Sequence, residues 1–160
     1  MFGLVCFNYD PRGRGGARGW FRGFDFLRRR WGLDRSTVYV SDERYLDRWI
    51  VYLNGYTLRL HRFWRGDDNR ASHTHPWWFI TFPLGWYQER LYSEGRYLGQ
   101  RFVQPFRFHY RPANFEHYVV RPCKVPSWTI VLTGPKREGW GFYPFDVLPA
   151  RQFVPYKEWK

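Results

Sequence analysis

His73 and His75 stand one residue apart at the head of an apolar run, in Ser72-His73-Thr74-His75-Pro76-Trp77, and they are two of only five histidines in the chain. Residues i and i+2 of a β-strand share a face, so a strand at this point aims both imidazoles at one spot. His117, far downstream in Pro112-Ala113-Asn114-Phe115-Glu116-His117-Tyr118, supplies a third. A His-x-His pair alone is as well explained by exposed or hydrogen-bonded imidazoles. With a third histidine from a distant strand, the set becomes sufficient for a mononuclear metal centre. Three protein ligands leave about three positions open on an octahedral ion, which suits catalysis, whereas structural zinc is usually closed by four ligands, often cysteines. The expected cofactor is a divalent ion, Fe(II) first, with Zn, Ni and Mn as alternatives.

Other reactive side chains fall near this centre by strand arithmetic. Glu89 lies in the strand expected after the Pro83-Leu84-Gly85 turn and is the candidate acid, base or fourth ligand; its competing role is a surface salt bridge with Arg90 or Arg107. Tyr87 shares its face and is placed to hydrogen-bond a substrate, unless it is a core tyrosine. His61, on the preceding strand, is a candidate general base or support for a ligand, against an edge-exposed histidine. Arg59 and Arg121 are the candidates to grip a substrate carboxylate or phosphate in bidentate fashion, whereas His109 falls outside the site. Trp77 and Phe79 alternate onto the same face as the histidines and are expected to line the substrate pocket.

These motifs resemble those of the cupins. The first cupin motif sets a glycine, a His-x-His pair, a glutamate and a closing glycine in order, and Gly66, His73, His75 and Gly85 match it. The second motif carries a proline, a glycine, a histidine and an asparagine; here Pro112, Asn114 and His117 match, with Asn114 in place of the glycine and Arg121 in place of the last asparagine. Asn tolerates positive φ better than most residues, so Asn114 is a mild change. Phe79 stands where the family has its glutamate ligand. The resemblance therefore implies a jelly-roll barrel with a three-histidine metal site, similar to the thiol dioxygenase branch.

The elements that must position these residues read as β. The clearest is a hairpin, Trp49–Leu53 and Tyr56–Phe63 joined by Asn54-Gly55, a pair suited to the two positive-φ positions of a type I′ turn. A strand is expected over Thr37–Val40, one or two helical turns over Ser41–Arg48 with Ser41 as N-cap, a single strand from His73 to Phe82, and a return strand from Trp86 to Tyr92. Trp128–Leu132 and Gly139–Tyr143 complete the barrel. Short strands broken by Gly and Pro, without a sustained 3.6-residue period, predict an all-β jelly roll.

One domain of ordinary size accommodates 160 residues. Residues 1–36 are expected as an irregular Arg/Gly/aromatic-rich arm and residues 37–160 as the barrel. The RGG-like spacing in residues 10–32 leaves two roles open: an arm draped over the barrel or a neighbouring subunit with Trp20, Phe21, Phe24 and Phe26 buried, or a nucleic-acid-binding tail. A formal net charge of +12, mostly from arginine, agrees with a small anionic substrate, although coding bias explains it equally. No apolar run reaches the ~20 residues of a membrane helix, and no signal-peptide pattern opens the chain. A cytoplasmic protein with reduced Cys6 and Cys123, open to homodimerisation, is therefore expected. The function implied is a metal-dependent, oxygenase-like enzyme on a small anionic substrate; the alternatives are a sugar-nucleotide isomerase or epimerase and a nucleic-acid-binding or nucleic-acid-modifying protein.

Overall fold

Every described element is a strand or a turn, as short β-branched and aromatic runs between Gly, Pro and Asn dictate. The computed structural model describes residues 31–40, 42–67, 70–137, 139–145 and 152–158, with the side chains of Trp31, Val40 and Arg121 outside that description. Its strands are β1 (Trp31–Val40), β2 (Glu43–Leu53), β3 (Tyr56–Phe63), β4 (Ala71–His73), β5 (Phe79–Pro83), β6 (Tyr87–Ser93), β7 (Arg96–Val103), β8 (His109–Arg111), β9 (Glu116–Pro122), β10 (Ser127–Thr133), β11 (Gly141–Pro144) and β12 (Val154–Pro155). They form two six-stranded antiparallel sheets, ordered β1-β2-β3-β10-β5-β8 and β12-β11-β4-β9-β6-β7. No helix among the described residues is long and apolar enough to cross a membrane. The expected arm up to residue 30 lies outside the described residues, while β1 takes residues 31–36 into the first sheet.

The β2–β3 hairpin turns as the sequence demands, with φ of 48° at Asn54 and 91° at Gly55. Two expectations are corrected. The helical turns expected over Ser41–Arg48 are absent over residues 42–48, the N-cap residue Ser41 lying outside the described residues: Asp42 turns with φ 67°, and Glu43 opens an eleven-residue strand paired to β1 on one side and β3 on the other. Ladder bonds on both edges outweigh the local helical cue of a polar cap followed by spaced arginines. The strand expected from His73 to Phe82 is two strands in different sheets, β4 and β5, joined by a link over 74–78 that contains buried Pro76. Proline has no N–H for a ladder, so the pairing breaks there and the chain crosses between sheets.

Register fixes what the first sheet shows to the interior. Ser36, Arg48, His61 and Thr129 form one cross-strand row. Ile50, Arg59, Val131 and Thr81 form the next, and Tyr52, Thr57, Thr133 and Phe79 a third. Ser36, Thr129, Ile50, Val131, Thr81, Thr57, Thr133 and Phe79 are all buried, so these rows face inward. An interior wall this rich in hydroxyls and cations lines a cavity, of ≈ 1050 Å³, that also receives His73, His75 and His117 from the opposite side. The small apolar cluster of Tyr87, Val103 and Val119 packs beneath it between β6, β7 and β9.

On the outer side of β2, Asp47 ties the sheet together. It is 0% exposed and accepts hydrogen bonds from Thr37 Oγ1 (2.9 Å), Arg44 Nε (2.9 Å), Arg62 Nε (2.8 Å) and Trp64 Nε1 (2.9 Å). Burial works against ionisation, but the bonds from Trp64, Arg44, Arg62 and Thr37 outweigh it and hold the carboxyl well below the usual carboxylate range. A depressed folded-state value makes this stabilisation fully present above the unfolded value of ~3.9 and progressively lost as pH falls toward the folded one. Asp47→Ala is expected to cost about 1–3 kcal/mol in urea unfolding at neutral pH, because Trp64 Nε1, Thr37 Oγ1 and the partly exposed Arg44 and Arg62 lose their acceptor. The cost should shrink as the pH drops below about 4.

Candidate metal centre

His73 is the last residue of β4, and its strand partner on β9 is His117, so backbone register alone puts these two imidazoles side by side. His75 comes from the link, where the backbone is held by His75 N–H to Ala113 C=O (3.2 Å) and Thr74 N–H to Gly141 C=O (3.0 Å). The i, i+2 relation therefore brings both histidines to one side of the cavity, though an anchored loop, not a regular strand, carries the second. The nitrogens that the three rings offer lie within 4.8 Å of one another.

One pair inside the cluster already has the spacing of a shared ion. His75 Nε2 and His117 Nε2 are 3.0 Å apart. Two imidazoles bound about 2.1 Å from one ion at roughly a right angle have their nitrogens about 3.0 Å apart. Protonation agrees with this. Burial, partly opposed by Asp67 and reinforced by His117, pushes His73 down to about 4, and burial with the neighbouring His73, His117 and Arg59 pushes His75 well below its usual value. Both rings are thus neutral at physiological pH, the form that donates a lone pair.

Two carboxylates stand behind the rings. Glu89 Oε2 lies 3.2 Å from His117 Nδ1, which donates its proton there and leaves Nε2 free to face the cavity. Asp67 Oδ2 is 3.6 Å from His73 Nδ1, close enough to hold charge against that ring. Asp67 is itself fixed: it accepts from Val119 N–H (2.6 Å) and from the Tyr45 hydroxyl, and its own N–H donates to Val119 C=O (2.8 Å). That close approach requires Gly66, since a Cβ there would sit 2.0 Å from Val120 C=O. Sequence reasoning found Gly66 and passed over Asp67, for which only adjacency to the first histidine motif gave a cue.

Glu89 is not among the converging ligands. It is 0% exposed and is enclosed by Arg101 Nε (2.7 Å), Arg111 Nη2 (2.8 Å) and His117, so its salt-bridge partners are these arginines and not Arg90 or Arg107. Burial works against its ionisation, yet the hydrogen bond from His117 and the charges of Arg111 and Arg101 prevail and hold it at about 2. Phe79 occupies the inner face of β5 with its ring centroid 4.6 Å from His75, in edge-on contact, which keeps that flank of the centre apolar. Tyr87 is buried beside Thr81 and reaches the cavity, and burial raises its phenol well above the usual range, so it stays protonated. Asn114 is not among the positive-φ residues, so its position has no need of the glycine it replaces.

The remaining candidates divide. His61 faces the cavity and not a sheet edge; its Nε2 is buried without a hydrogen-bond partner among the described residues, and burial with Arg59 and Arg48 pushes its pKa to about 3. Arg59 lines the same wall with its guanidinium 4.4 Å from the Trp77 ring centroid. Arg121 lies in β9 opposite Gln88 by backbone register, and its side chain falls outside the described residues. His109 bonds Gln104 C=O at 2.9 Å, away from the cavity, and Cys123 is exposed.

No protein-family model matches this sequence, and no curated protein matches it. Solved structures match by shape. Fe(II)-HppE with the alternative substrate (S)-1-HPP superposes with a TM-score of 0.51 at 7% identity, over 64% of this chain and 55% of the other. A cupin-2 domain from Rhodospirillum rubrum gives 0.49 at 17% identity over 69% and 76%, and KdgF from a Halomonas species gives 0.44 at 22% over 58% and 81%. The chain spans about half the length of the first of these structures. The likeness is one of fold, an all-β architecture of two six-stranded antiparallel sheets.

If Glu89 orients His117, Glu89→Gln should weaken divalent-metal binding about 10- to 100-fold while leaving the site able to fill at high metal concentration. Calorimetric titration with Zn(II) reads this directly. Affinity equal to the unsubstituted protein would show that His117 needs no such support.

Proposed function

We propose that this protein is a three-histidine, divalent-metal-dependent oxygenase acting on a small anionic molecule, with Fe(II) as the working ion. The observation that carries the reading is the convergence of His73, His75 and His117 at ligand spacing, with an ionised carboxylate behind His117. Phe79 in place of an acidic ligand keeps the donor set at three neutral imidazoles, as in the thiol dioxygenases that the sequence resembles. When bound, the ion supplies Lewis acidity, one-electron chemistry and open positions for substrate and dioxygen.

The chain's own residues bind and exclude. The rings of Phe79 and Phe142 stand against the histidines and shed water from that flank. Tyr87, a protonated phenol on the cavity wall, is a hydrogen-bond donor to a substrate oxygen. His61, neutral and unpartnered at Nε2, is the available proton acceptor or donor on the opposite wall, whereas Glu89, saturated by two arginines, has the positioning role. Trp77 stacks on Arg59 and holds its guanidinium toward the cavity.

Protein reconstituted with Fe(II) should bind about one ion per chain, as one three-histidine site allows. It should consume dioxygen only when a small anionic compound from a screened panel is also present. His75→Ala should abolish both metal retention and oxygen uptake. Equal turnover with and without oxygen would overturn the oxygenase reading and favour proton-transfer chemistry of the isomerase kind.

A further inference from the structure

Across the cavity from the histidines, the first sheet builds a second recognition element. Arg48 and His61 are cross-strand partners on β2 and β3, and Arg59 stands two residues from His61 on the same inward face. Each guanidinium is pinned through Nε to a hydroxyl, Arg48 to Ser36 Oγ and Arg59 to Thr57 Oγ1, both at 2.7 Å. That leaves the two terminal nitrogens of each fork available to face the cavity. Neither arginine forms an ion pair among the described residues, although Arg44, Arg62, Arg65, Arg101 and Arg111 all do. Arg59 stacks on Trp77, and the charges of Arg59 and Arg48 both bear on His61, whose Nε2 lacks a partner. Two arginines and an unpartnered imidazole gathered on one cavity wall carry a desolvation cost that an oxyanion would offset.

We infer that Arg48, Arg59 and His61 form an oxyanion-binding subsite, and that the natural ligand is a compact two-ended molecule with a carboxylate or phosphate-type group here and a metal-chelating group at the histidines. The second half of this statement rests on the metal-centre reading; the first does not. The two ends are forced apart because the subsite belongs to β2 and β3 of one sheet, whereas His73 and His117 belong to β4 and β9 of the other. The same arrangement disfavours cations and neutral hydrocarbons of equal size.

The test is calorimetric titration of the full-length protein, metal-free and Zn(II)-loaded, with inorganic phosphate and with the dicarboxylates malonate, succinate and glutarate. Phosphate should bind the metal-free protein, and Arg59→Met, which keeps the packing on Trp77 but removes the fork, should weaken it about tenfold or more. Arg59→Lys should recover only part of the loss, and Zn(II) affinity and thermal stability should be little changed in both variants. Zinc loading should tighten one dicarboxylate length selectively and leave phosphate nearly unaffected. A preference for phosphate over every dicarboxylate in metal-free protein assigns the subsite to a phosphate-type group, and the reverse order to a carboxylate. Absence of anion binding, or binding unchanged in Arg59→Met, overturns the subsite. Arginine-dependent phosphate binding in a protein that takes up no zinc would leave the subsite standing and refute the metal centre instead.

Discussion

Bringing three imidazoles to a common point inside a cavity is unfavourable unless each ring is neutral and turned the right way, and the Glu89 to His117 contact is the interaction on which this depends. Glu89 accepts the hydrogen bond of His117 Nδ1–H at 3.2 Å and so directs the Nε2 lone pair inward. A buried carboxylate in that role must stay ionised, which explains the two arginines at 2.7 and 2.8 Å and the stacking of Arg111 and Arg101 over Phe115, 4.8 and 5.7 Å from its ring centroid. The cross-strand pairing of Glu89 with Val119 and Arg101 thus positions the acid that supports His117.

The two sheets divide the work. The second carries His73, His117 and Glu89, with Asp67 in the loop that leads into β4, so this side is organised by carboxylate and imidazole. The first presents Arg48, Arg59 and His61 among hydroxyls, with Glu89 and Asp67 both on the far side. The resulting field runs across the cavity from cationic wall to carboxylate-backed ligands, an arrangement that orients a ligand with unlike ends. The link over 74–78 serves both walls, since it places His75 at the cluster and Trp77 under Arg59.

Much of this was legible in the chain where a residue type has one physical use. Asn54-Gly55 announced its turn, and His73, His75 and His117 announced their convergence, because few other arrangements use those residues at those positions. What stayed hidden depended on pairing partners distant in sequence. Arg48 looked like the end of a helical turn until β1 and β3 flanked it, and with that strand assignment came its place opposite His61. Glu89 gave no sign of Arg101 and Arg111 over its nearer neighbours Arg90 and Arg107, since the choice is made by the β6–β7 register and the inward turn of Arg111 from β8. The break between β4 and β5 was signalled by Pro76, but alternation across 73–82 mimicked one strand.

The arrangement of His73, His75 and His117 predicts that all three bind one ion. X-ray absorption of the Zn(II)-loaded protein at the metal edge measures this most directly by counting imidazole shells. Three imidazoles at about 2.0–2.1 Å, falling to two in His117→Ala, is the result expected. A sulfur shell at about 2.3 Å, or an imidazole count that none of the three histidine substitutions alters, would contradict it.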